Sequence, residues 1–116
     1  MTDFVTYRDG PGGSIARTIL GKNISNLNTW NEFFDFTYSV SCTGDGKNML
    51  ERAERAYAAA HVGERAVILA TLFAMDRSFH AIKLETQANE NLLGMMNYVD
   101  GPHRAAVAAC MFLGGR

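Results

Sequence analysis

Glu64-Arg65-Ala66-Val67-Ile68-Leu69-Ala70-Thr71-Leu72-Phe73-Ala74-Met75 is the stretch on which the fold turns. It opens with an acid, which suits the positive end of a helix dipole, and is then apolar almost all round. Two structures fit such a run: a helix buried on every side, or a strand inside a parallel sheet. The alanines at 66, 70 and 74 and the length of the run favour the helix. The apolar core of the stretch, Ala66 to Met75, is interrupted only by Thr71. It falls well short of the roughly 20 residues that a membrane helix needs. A central, buried helix is therefore expected, and no membrane segment.

A buried helix needs others to cover it. Just upstream, Met49, Leu50, Ala53, Ala56, Tyr57 and Ala60 form one apolar stripe at helical period, with Glu51, Arg52, Glu54 and Arg55 off it. The spacing predicts a helix over 47–61, with Asp45 as N-cap, His61 in the last turn and Gly63 as the stop. Downstream, Phe79, Ile82, Leu84, Ala88, Leu92, Met95, Met96 and Val99 suit one long helix, or two with a bend near 85–91. Asp100-Gly101-Pro102 breaks the chain, and Pro102 reads as the first residue of a final helix to Leu113. Ala105, Ala106, Ala108 and Ala109 keep that helix slim.

Toward the N-terminus, Thr29-Trp30-Asn31-Glu32 is a capping-box pattern that opens a helix over 30–38. Residues 1–28 are expected to be irregular and packed on the helical body. Phe4-Val5-Thr6-Tyr7 is β-prone, and Asp9-Gly10-Pro11-Gly12-Gly13-Ser14 reads as a turn. Residues 15–20 fit either a short helix between Ser14 and Gly21 or the second strand of a β-hairpin with 4–8, the helix being slightly preferred. The expected fold is mostly α: one domain over 1–116, a compact bundle of about five helices, with an irregular N-terminal segment in which a short β-hairpin is the alternative.

Composition limits the function classes. The chain has 116 residues, the size of one domain. Eleven Lys and Arg against twelve Asp and Glu leave a net charge of −1, and acids and bases alternate rather than cluster. Electrostatic capture of a nucleic acid needs a more lopsided balance, so nucleic acid is not expected as a partner. Met1-Thr2-Asp3-Phe4 lacks a basic, then apolar, leader, and the cytoplasm is the expected location. Cys42 and Cys110 form no CxxC pair and are expected to be reduced.

No motif assigns an activity. The glycine-rich loop 10–14 lacks GxGxxG spacing, and turn chemistry accounts for it. Thr43-Gly44-Asp45-Gly46-Lys47-Asn48 has Ser41 where a P-loop needs its first glycine and Asn48 where it needs a hydroxyl. Asp76 and His80 share a helix face, while Ser78 points about 200° away from Asp76, which excludes a local triad. His61, His80, His103, Cys42 and Cys110 show no metal-ligand spacing, so no metal or other cofactor is expected. A helix-turn-helix over 66–85 lacks the usual glycine in its turn.

The unusual feature is aromatic and methionine content. Trp30, Phe33, Phe34, Phe36 and Tyr38 are too dense for one buried face of a short helix, and Met95, Met96 and Tyr98 flank Gly94. Exposed aromatics and methionines supply area and adaptable packing at interfaces. These eight residues are the candidate partner-binding set. The expected function is a non-enzymatic protein-interaction module, an adaptor, accessory subunit or inhibitor, with a protein partner and homo-oligomerisation in view. A small His/Asp enzyme and a weak helix-turn-helix regulator are the alternatives.

Overall fold

Helix α5 (Val62–Ala74) occupies the centre of a computed structural model that describes residues 3–42, 46–75 and 77–113. Its residues from Ala66 to Leu72 are all buried, and it runs along α8 (Gly101–Leu113) while touching α2 (Pro11–Leu20), α4 (Gly46–Ala59), α6 (Ser78–Ala88) and α7 (Leu92–Met95). An all-round apolar surface is stable only where neighbours cover every side, as they do here. Each fully buried Ile68, Leu69 or Leu72 side chain contributes about 1.5–3 kcal/mol.

The N-terminal segment departs from expectation. Residues 4–20 hold two helices, α1 (Phe4–Asp9) and α2, joined at a corner on Gly10, and the β-hairpin is not formed. With the 3-10 turn at Lys22–Asn26, this also replaces the irregular segment expected over 1–28. Three local devices override the β-propensity of Phe4-Val5-Thr6-Tyr7. Asp3 accepts a hydrogen bond from the Thr6 amide at 2.8 Å and caps α1. Phe4 and Tyr7, at i and i+3, then fall on one buried face. Pro11 starts α2 at a position where its missing N–H costs nothing.

The glycines at this corner serve close approach. A Cβ on Gly12 would lie 2.2 Å from the Tyr7 ring, and one on Gly13 would lie 1.7 Å from the Arg8 carbonyl oxygen. Helix α2 ends at Gly21, whose φ of 103° is left-handed.

Helix α3 (Trp30–Cys42) is longer than the predicted 30–38. Its N-terminal box forms: Thr29 Oγ1 accepts from the Glu32 amide at 3.2 Å, and Glu32 reaches back to the Asn28 amide at 3.3 Å. Helix α4 buries Met49, Ala53 and Tyr57, the expected stripe; its predicted cap, Asp45, lies outside the described residues. The region after α5 is two helices, broken where Asn89 turns left-handed at φ 55°. Asn91 caps the short α7 by accepting from the Gly94 amide at 2.7 Å. Eight α-helices are formed among the described residues, more than the five expected, because the chain breaks at Gly10 and around Asn89.

One hydrophobic cluster joins all eight helices. Its few polar members are satisfied locally: Thr71 donates to the Val67 carbonyl at 2.8 Å and Thr37 to that of Phe34 at 2.9 Å. The Cys110 thiol faces the Tyr7 hydroxyl at 3.8 Å, tying α8 to α1. Burial raises the Cys110 thiol from its ordinary 9.0 to about 11 and pushes the Tyr7 phenol well up, so both stay protonated. The corresponding expectation for Cys42 lies outside the described side chains.

Candidate functional site

The eight candidate partner-binding residues divide by burial. Phe33, Phe34 and Met95 lie in the core, and Trp30, Phe36 and Met96 are half-buried against it. Only Tyr38 (71% exposed) and Tyr98 (77%) reach well into solvent. The aromatic cluster of α3 is therefore mainly a packing device. Helix α1 supplies its missing half: Phe4 meets Trp30 edge-on at 5.2 Å and Phe33 at 5.5 Å, and Tyr7 meets Trp30 at 4.8 Å. Such pairs add about 0.5–1.5 kcal/mol beyond the area they bury. The density of rings at 30–38 overcounts the exposed ones because α1 was not expected to be a helix. The atoms nearest the open side of Gly94 belong to the Asn91 side chain.

Exposed apolar side chains occur elsewhere. On α6, Ala81 and Leu84 face the core, while Phe79 (76%) and Ile82 (54%) face solvent. At 100° per residue the two pairs are centred roughly 160° apart, so α6 is apolar on both sides. Leu93 on α7 is 85% exposed. The signal was present in the sequence: Phe79 and Ile82 do not share the helical face of Leu84, although the three read as one apolar series.

A second feature joins residues far apart in the chain. His61 was expected to end α4; instead it caps α5. Its Nδ1 accepts from the Gly63 amide at 3.2 Å and the Glu64 amide at 3.5 Å, while the Glu64 carboxylate accepts from the His61 amide at 3.3 Å. Gly63 lies inside the helix and does not stop one. The His61 ring meets the His103 ring edge-on at 5.4 Å, and His103 Nδ1 lies 2.7 Å from Asp100 Oδ1. Gly63 makes this possible, because a Cβ there would sit 3.1 Å from the His103 ring and 3.2 Å from that of His61. Asp100 also caps α8 by accepting from the His103 amide, and these bonds hold its carboxyl below the usual range.

A third group stands where α4, α5 and the α6–α7 loop meet. Glu90 Oε1 accepts from the Tyr57 hydroxyl at 2.5 Å and from Arg65 Nη1 at 2.9 Å. Arg65 also donates to the Tyr57 carbonyl and lies over the Tyr57 ring, 4.8 Å from its centre. Burial, then the bond to Glu90, raises the Tyr57 phenol, which acts as a donor. Beside it an open cleft of about 400 Å³ is lined by Glu54, Leu84 and Gln87 among others.

His80 rests edge-on to Phe79 at 5.6 Å, and Asp76 lies outside the described residues. The glycines of the 10–14 loop pack the α1–α2 corner. Three basic side chains have acceptors within the chain: Arg52 the Ile19 carbonyl, Arg65 the Glu90 carboxylate and Lys83 that of Glu54. Among the described residues, no three His, Cys, Asp or Glu side chains are grouped so that they could hold a metal, and no helix is long and apolar enough to cross a membrane. The chain matches no protein-family model, no curated protein and no solved structure.

Proposed function

We propose that this protein is a protein-interaction module whose docking surface is built on the outer face of α6. The observation that carries the reading is a helix with two apolar faces, one of them spent on the core and the other left to Phe79 and Ile82. Large aromatic and aliphatic side chains in water are the usual anchors of an interface. Tyr38, Leu93 and Tyr98 supply further exposed apolar area. The partner is a protein, a second copy of the chain included; the intracellular setting expected from the sequence belongs to this proposal.

The test is the double variant Phe79→Ser with Ile82→Ser. Light scattering and chemical crosslinking in the native host are expected to show association by the wild type and its loss in the variant, with an unchanged melting temperature. A wild type that stays monomeric and crosslinks to the same neighbours as the variant would overturn the reading.

A second reading, a small enzyme, has one observation behind it: Asp100, His103 and His61 converge, and a carboxylate-held imidazole is a common general base. It requires a loss of turnover in His103→Gln that Phe79→Ser leaves untouched.

A further inference from the structure

The contact between His61 and His103 joins two rings in unlike electrostatic settings. Asp100 Oδ1, 2.7 Å from His103 Nδ1, accepts a hydrogen bond there, so this ring nitrogen carries its proton. The His103 side chain is only 13% exposed, so the bond is partly shielded from solvent. His61 has the opposite requirement. Its Nδ1 is the acceptor for the first free amides of α5, so that nitrogen carries a lone pair and no proton. With the proton on Nε2, that edge faces Glu64 Oε1 at 3.4 Å.

The groups facing His61 are thus Glu64 of its own helix and, from α8 and the residue before it, His103 and Asp100. Helix α4 enters through Ala58, Ala59 and Ala60, which carry no charge. Arg65, one residue beyond Glu64, is engaged with the Tyr57 carbonyl and the Glu90 carboxylate.

We propose that this seam is an acid-responsive clasp: a proton taken from solvent by His61 Nδ1 releases the first turn of α5. Proton uptake at Nδ1 turns the cap from acceptor to donor, opposing the N–H groups of Gly63 and Glu64. It also sets a cation at the positive end of the helix dipole. Glu64 and Asp100 offset part of that charge, but neither supplies the lost acceptor. The His61 side chain is 63% exposed, so the proton has a direct route. The released parts are the α4–α5 corner and the start of α8; the core from Ala66 onward stays packed. The stability carried by the cap is present at neutral pH and lost as the pH falls.

Amide hydrogen exchange between pH 7.5 and 5.0, corrected for intrinsic rates, tests the clasp. In the wild type, protection at Gly63 and Glu64 is expected to fall roughly five- to tenfold on acidification, the equivalent of a lost N-cap. In His61→Asn, which keeps a good and non-titrating cap, protection is expected to stay level. Unchanged wild-type protection across the range, or an equal loss in His61→Asn, would overturn the proposal. If His61→Asn does not fold, the site-resolved wild-type profile decides alone: a fall confined to the start of α5 and the α8 turn supports the clasp, and a level or uniform profile sinks it.

Discussion

Helices α5 and α6 are neighbours in sequence and in space, and both read as apolar, yet they end in opposite surroundings. Five helices surround α5 and every apolar side chain from Ala66 to Leu72 is withdrawn from water. Helix α6 packs chiefly on α5, with a smaller contact on α4, and keeps Phe79 and Ile82 outside. The difference teaches that apolar content fixes how much surface wants cover, while the number of neighbours fixes how much receives it. A chain with one central helix has only one such fully lined place.

The comparison can be broken from the α5 side first. Leu69→Ala leaves a cavity where five helices meet and is expected to cost about 2–5 kcal/mol, read as a lower midpoint in denaturant with the slope retained. A loss below 1 kcal/mol would mean that α5 is less enclosed than described. Alkali tests the same interior. The Cys110 thiol is raised to about 11 in the folded chain, so the fold binds that proton more tightly than the unfolded chain does. Its contribution is complete below the ordinary thiol value of 9.0 and is lost as the pH rises toward 11. Melting temperature is expected to drop between pH 8.5 and 10.5, and part of the drop to vanish in Cys110→Ala; an equal drop in both would assign it to other groups.

Where α4, α5 and the α6–α7 loop meet, Tyr57→Phe removes one donor to Glu90 and leaves Arg65 in place. The expected cost is about 0.5–1.5 kcal/mol by chemical denaturation, and no cost would show the bond to be idle. The smallest effect belongs to α6. Phe79→Ser is expected to change stability by no more than ~0.5 kcal/mol, since the ring covers little of the core. A loss of 2 kcal/mol would place Phe79 in the core after all.

What the sequence discloses follows from the range of the forces involved. Helix α4 and the box at Thr29 are local: a stripe at helical period and a cap three residues from its partner. Helix α5 is legible because its length and alanines decide against a strand. The α1–α2 corner is illegible because Phe4-Val5-Thr6-Tyr7 has β-prone residues, and the rings at 30–34 that add to the Asp3 cap and Pro11 in favouring the helix lie far along the chain. Gly12 and Gly13 resemble turn residues, and the reason for them, the Tyr7 ring and the Arg8 carbonyl, exists only once two helices meet. The histidine seam is hidden for the same reason. His61 and His103 lie in different helices, and the glycine that lets them touch looked like a helix stop.

The contact between Tyr7 and Cys110 spans 103 residues and carries a consequence for biosynthesis. At about 5–20 residues per second, a ribosome needs roughly 5–20 s to travel from one partner to the other. For that interval the side of α1 destined for α8 has no cover, nor has that of α5 once it is made, and the nascent protein carries an open apolar face. Folding on the ribosome therefore finishes late, and a chaperone that shields this face would act before α8 emerges.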